Sequence, residues 1–325
     1  MAFQLTCVSH GPALAHPRPV PAQHQSVMRA YRDRAEALRR FDPELIVMFA
    51  PDHYTNVHLN MVAPFCVGVA CEAVDDFGGH PGRFDVPADI AWACIEAVRG
   101  ADIDIAVSHE LIVDHGFSQP LHTLAGALDR YRVLPIFINT TCAPSASFRR
   151  IRMLGEAVGR FARDLGLARV AFLASGGLSH HPANIFPQDL AGTRPELREY
   201  LTHGGARGGM NQGDWIALLG EATRQGSERV ERGEMTAADF RINAEWDQAF
   251  LNLFAAGGAL AFDDWRPQSV IAQAGVAAME VQQWIAAGAA ARVAGVAKSQ
   301  IDLYVATVEY RIGVGVAHAD PLEPC

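Results

Sequence analysis

The sequence is short of charge, of long apolar runs and of paired cysteines, and each shortage excludes something. Only 19% of its 325 residues are Asp, Glu, Lys or Arg, against 50% hydrophobic. A chain this apolar buries enough surface to offset its ordering entropy, which excludes intrinsic disorder. Basic residues are the scarcer sign, 27 Lys+Arg against 36 Asp+Glu, for a net charge of −9. A general nucleic-acid binder needs a basic footprint, and none is present. The longest apolar stretches, Leu45–Ala50 and Ile285–Ala291, fall far short of the ~20 residues of a membrane span. The first ten residues hold no basic segment, so no secretory leader is expected. Six cysteines (Cys7, Cys66, Cys71, Cys94, Cys142, Cys325) include no CxxC pair. They read as reduced thiols of a cytoplasmic protein, not as a disulfide frame or zinc knuckle. Gly176-Gly177 lies in no GxGxxG or GxxxxGK[ST] loop, and Ser175 in no GxSxG elbow. Nucleotide binding and serine hydrolysis are thereby disfavoured.

What is present alternates. Phe3–Ser9, Glu44–Ala50, Phe65–Ala70, Ile103–Val107, Val133–Ile138 and Arg169–Ala174 read as strands; the continuous apolar ones suit burial on both faces. Gln23–Phe41 places Val27, Tyr31, Leu38 and Phe41 on one helical face. Pro87 opens a helix through Val98, and Ile151, Leu154, Val158, Phe161 and Leu165 form another helical stripe. After Pro182 the chain turns polar and glycine-bearing through 183–245. Helices are expected over Glu245–Ala256 and Ala277–Ala291, and one or two strands over Ile301–Val316. No repeat or low-complexity tract interrupts this. The rhythm predicts an α/β fold, with a mostly parallel or mixed central sheet flanked by helices and helical elaboration in the second half. Residues 1–325 are expected to form one domain.

The histidines carry the chemical signal. Thirteen are present, and four follow expected strands amid Gly, Pro or Asp: His10, His53, His115 and His180. In open α/β sheets ligands bind outside the carboxyl ends of the strands, so these four can converge there. Singly, each is an ordinary loop residue; together they suggest a metal site or a proton relay. Two histidines and a carboxylate leave open positions on a divalent metal, as in non-heme Fe(II) oxygenases. Spacing does not choose iron over zinc, nor which of the 36 carboxylates completes the set. A zinc-dependent hydrolase and a non-catalytic metal-binding protein stay open on this ground.

Seven stretches then become specific together. They are Cys7–Pro12 (CVSHGP), Pro43–Tyr54 (PELIVMFAPDHY), Pro64–Gly68 (PFCVG), Val113–Leu121 (VDHGFSQPL), Val133–Asn139 (VLPIFIN), Arg152–Phe161 (RMLGEAVGRF) and Ser175–His180 (SGGLSH). In this order they resemble the class III extradiol ring-cleavage dioxygenases of the protocatechuate 4,5-dioxygenase β-subunit superfamily. The resemblance covers about the first 180 residues and continues more loosely through Trp246–Phe250 and Met279–Trp284.

The resemblance implies an oxidoreductase of aromatic catabolism, a cytoplasmic homo-oligomer that uses Fe(II) and O2 to open a catechol beside its two hydroxyls. The implied substrate is a 3-substituted catechol such as 3-(2,3-dihydroxyphenyl)propionate, opened to a 2-hydroxy-6-oxo-dienoate. His10, His53 and Glu280 are the implied iron ligands, His115 the general acid and His180 the general base. Asp114 is expected to orient His115. Glu245, which precedes Trp246, departs from the pattern and is a rival carboxylate. A substrate carboxylate would need a local arginine, and Arg149, Arg150, Arg152 and several in 183–240 are available. No nucleic acid or membrane partner is expected.

Overall fold

The computed structural model describes residues 1–182, 186, 190–257 and 259–322. Cys325 and positions 183–185 and 187–189 of the polar stretch lie outside the described residues. The chain opens with β1 (Ala2–Val8), α1 (Pro12–Ala15), α2 (His24–Phe41), β2 (Leu45–Ala50) and β3 (Phe65–Gly68). There follow β4 (Cys71–Ala73), β5 (Gly82–Arg83), α3 (Ala88–Arg99), β6 (Ala106–Ser108), β7 (Leu111–Val113) and α4 (His115–Ala125). Then come β8 (Val133–Ile138), α5 (Phe148–Asp164), β9 (Arg169–Ser175), α6 (Pro195–His203), α7 (Gln212–Glu231) and α8 (Ala244–Ala255). The last elements are α9 (Pro267–Ala274), a 3-10 turn (Val276–Glu280), α10 (Val281–Ala294), β10 (Gln300–Thr307) and β11 (Ile312–Ala319).

Eight strands form one mixed sheet in the order β10-β11-β1-β9-β2-β8-β3-β6. Its centre, β1-β9-β2-β8, is parallel, so the carboxyl ends of those four strands share one edge. Every residue of β2 and β8 is buried, which is why they read as unbroken apolar runs. One face is covered by α3, α5 and α10, the other by α2 and α4. The α/β architecture with helices in the second half agrees with the sequence reading.

Local chemistry sets the helices. Ser147 caps α5 by accepting from the Arg150 amide, and Asn211 and Asp214 form a reciprocal box at the start of α7. Helices α5 and α10 approach without side chains between them. A Cβ at Gly155 would lie 2.1 Å from the Ala286 carbonyl oxygen, and one at Gly159 would lie 2.3 Å from that of Ala290. This glycine seam seats α10, and with it the residue just before its first turn.

Two parts differ from expectation. The strand expected over Ile103–Val107 shrinks to Ala106–Ser108, because Ile103 belongs to the turn that ends α3, its amide donating to Val98. The small sheet β5-β4-β7 and helix α4 have no counterpart in the sequence pattern. Consequently His115 follows β7 of the small sheet and opens α4, instead of ending a strand of the large one.

Candidate metal centre and active site

His10, His53 and His180 follow β1, β2 and β9, so three parallel strands deliver them to one edge. Helix α4 brings His115 from the other side, and the junction between the 3-10 turn and α10 brings Glu280. All five converge. Ring centroids of His10 and His53 lie 5.4 Å apart, of His10 and His115 5.5 Å, and of His53 and His115 4.6 Å. Glu280 is 2% exposed. Its carboxylate oxygens lie 3.3 Å from His53 Nε2 and 3.8 Å from both His10 Nε2 and His180 Nε2. Glu245, the rival carboxylate, opens α8 and is exposed.

Hydrogen bonds fix which nitrogens face inward. Ser175 Oγ donates to the Gly116 carbonyl (2.6 Å), so it accepts from His10 Nδ1 (2.7 Å). His53 Nδ1 faces the Asp114 carboxylate at 3.1 Å, and Asp114 also accepts from the His53 amide at 2.6 Å. His180 Nδ1 donates to the Leu178 carbonyl at 2.8 Å. In each ring the Nδ1 proton is occupied, which leaves the Nε2 lone pair free to bind a metal or take a proton.

Asp114, expected to orient His115, is bonded to His53 and to the Thr55 hydroxyl and caps α4 through the Gly116 amide. The carboxylate on His115 Nδ1 is Asp76, which also accepts from the His115 amide at 3.1 Å. The physical reason is the cap itself: an Asp at the N-cap turns back onto the first helical amides, while the side chain of the next residue points elsewhere. Asp76 sits in Asp75-Asp76-Phe77-Gly78-Gly79, which reads as a plain turn, so nothing in the sequence singled it out.

Burial and charge divide the groups. Burial drives the His10 imidazolium down to about 3 against the pull of Glu280. Burial would lower His53 as well, but Asp114 and Glu280 outweigh it and hold His53 well above the usual histidine value. Burial would raise Glu280, yet His10, His180 and His53 bring it down to about 2. His115 is raised because Asp76 outweighs its burial, whereas burial lowers His180.

The donor set suits a divalent metal. Two imidazole Nε2 atoms and a buried carboxylate converge, which is the ligand chemistry of such an ion once His53 gives up its Nε2 proton to it. The nitrogens of His10, His53 and His115 also lie within 4.8 Å of one another, so His115 borders the same space. Beside it, a cavity is lined by His53, Thr140, Phe186, Val276 and Glu280. Trp215 packs behind Phe186, ring centroids 6.4 Å apart, and its indole donates to the His53 carbonyl at 3.0 Å. Cys7, Cys66, Cys71, Cys94 and Cys142 are free and buried. No helix among the described residues is long and apolar enough to cross a membrane.

Residues 4–309 match the family described as the catalytic LigB subunit of aromatic ring-opening dioxygenase. A 2,3-dihydroxyphenylpropionate/2,3-dihydroxicinnamic acid 1,2-dioxygenase of Cupriavidus pinatubonensis is 39% identical over 327 residues, covering 99% of each chain. The protein of the same name from Mycobacterium ulcerans is 38% identical over 99% of this chain and 100% of its own. A solved structure of an uncharacterized Escherichia coli K12 protein overlays with a TM-score of 0.49 at 13% identity, covering 97% of this chain and 98% of that one.

Proposed function

This chain belongs to the family of catalytic subunits of aromatic ring-opening dioxygenases, and on that premise we propose that it cleaves 3-(2,3-dihydroxyphenyl)propionate or a close 3-substituted catechol with Fe(II) and O2, in the cytoplasm. The observation that carries the reading is the inward set of His10 Nε2, His53 Nε2 and the buried Glu280 carboxylate. These three would hold the iron. Bound there, the ion would supply a Lewis-acid and redox-active centre for the oxygen chemistry.

The protein's own groups handle protons and position. His180 is bonded at Nδ1 to a neutral carbonyl, so its Nε2 can take the proton of the second catechol hydroxyl. His115 is paired with the Asp76 carboxylate, which favours imidazolium and suits it to supply a proton as the ring opens. Asp114 holds His53 in the tautomer that binds metal. Phe186, whose ring lies 5.7 Å from that of His53, gives the aromatic substrate an apolar wall.

The test is oxygen uptake after anaerobic Fe(II) loading and addition of 2,3-dihydroxyphenylpropionate. One O2 consumed per catechol, with the strong visible absorption of a ring-opened dienoate, is the expected result; zinc-loaded protein should give neither. Iron-loaded protein that takes up no oxygen with this substrate would overturn the reading.

A further inference from the structure

The proposed substrate carries a carboxylate arm, and a net charge of −9 opposes it, so a local cation must receive it. The arginines expected from the sequence are paired or exposed, Arg194, Arg198 and Arg207 of the 183–240 stretch among the exposed ones. Arg152 is buried against Asp263, with two bonds of 2.8 Å, and against Glu156. Arg149 is exposed on α5, and Arg150 reaches the Asp102 carbonyl. Arg224 is paired with Glu221 and Glu228, and Arg232 with Glu234.

Arg311 is different. It closes the turn between β10 and β11 at a φ of 62°, a conformation rare for a residue with a side chain. Its guanidinium lies against α7, where Nη1 donates to the Thr223 carbonyl at 3.0 Å. No carboxylate pairs with it among the described residues. Burial without a counter-charge pushes it down to about 10, whereas their acidic partners raise Arg152 and Arg224. A half-buried cation in that state invites an anion.

Its place in the fold leads to the site. Strand β11 runs antiparallel to β1 with Val316 opposite Val8, so residues before Val316 project past the edge that delivers His10. Ile312 lies 3.6 Å from where a Cβ of Gly11 would be, beside His10, and the Gly313 amide donates to the Ser179 carbonyl, beside His180. Helix α7 bonds His53 through Trp215 and Arg311 through Thr223, about 12 Å apart along its axis.

We infer that Arg311 is the carboxylate receptor of this active site, reading the arm of an aromatic acid whose catechol end is held by the histidine cluster. The inference rests on the catechol-acid reading above. A guanidinium donates two parallel hydrogen bonds to a carboxylate, and in partial burial such a contact is worth about tenfold or more in binding.

The experiment measures kcat/KM for 2,3-dihydroxyphenylpropionate and for the uncharged 3-propylcatechol. Wild-type protein should prefer the acid by more than tenfold. Arg311→Gln should collapse that preference at least tenfold, chiefly through KM, and Arg311→Lys should restore part of it. Gly226→Asp is an independent route, because a Cβ there would lie 2.4 Å from Arg311 Nη1. A carboxylate at that position would push the guanidinium aside and pair with it, and the acid preference should fall with Arg311 still present. Equal losses on both substrates, or an acid preference unchanged in Arg311→Gln, would overturn the assignment while leaving ring cleavage standing. A wild-type protein that opens neither catechol would remove the reading itself, and this inference with it.

Discussion

Two groups of histidines can be compared within this molecule. His10, His53, His115 and His180 are buried or nearly so, and each Nδ1 meets an oxygen: Ser175, Asp114, Asp76 and Leu178 respectively. His80 and His122 stack with ring centroids 3.7 Å apart, yet neither ring is hydrogen-bonded among the described residues. Proximity is therefore greater in the second pair, while organisation is greater in the first group. A histidine prepared for chemistry is marked by what holds its far nitrogen, more than by other histidines nearby.

The comparison can be broken by substitution. The largest effect is expected at the proposed metal ligands: His10→Ala, His53→Ala or Glu280→Ala should each abolish stoichiometric Fe(II) binding, read by metal analysis after desalting, with the far-ultraviolet spectrum retained. Normal iron in Glu280→Ala, with iron missing in His115→Ala, would move the site toward the three-histidine set. Next, His115→Gln and His180→Gln should keep iron but lose turnover by about 10²–10⁴-fold. Loss of metal in either variant would place that residue among the ligands.

The partners should matter less than the groups they hold. Asp114→Asn should weaken Fe(II) affinity by about 10–100-fold, measured by competition with a chelator. Asp76→Asn should lower kcat by a similar factor with iron content unchanged, because Asp76 touches His115 and not a proposed ligand. The smallest effect belongs to the stacked pair. Burial and the neighbouring His122 lower His80 from its usual value. A histidine lowered in the folded state binds fewer protons there than when unfolded, so it takes away stability as the pH falls below about 6.5. His80→Gln should leave activity intact and reduce the drop in melting temperature between pH 7 and pH 5. An unchanged drop would show that the stacked ring does not report on acid stability.

Much of this is legible in the sequence. Strands β2, β8 and β9 were readable because both faces are buried, and α5 because Ile151, Leu154 and Val158 recur at helical spacing. Helix α4 was hidden because nine of its eleven residues are buried, leaving no polar face, and because Gly116 and Pro120 interrupt it. The strands of the small sheet are two or three residues long, too short for any period to show. The four histidines stood out by their turn residues. Asp76 did not, since its role depends on a fold that carries it 39 positions along the chain to His115. Arg311 is equally silent, because its lack of a carboxylate partner among the described residues shows only once the fold sets its neighbours.

The glycine seam between α5 and α10 sets bounds on how this pocket can change. Glu280 lies at the head of α10, and any side chain at Gly155 or Gly159 would meet the backbone of that helix within about 2.3 Å. A drifting sequence, or a redesign, therefore has little freedom on the wall that carries the carboxylate, even at positions with no chemistry of their own. The opposite wall is built of separate pieces, with Phe186, Tyr200 and Trp215 packed in a cluster apart from the two sheet-face cores. New substrate arms are most easily accommodated there, while the ligand set stays where the seam holds it.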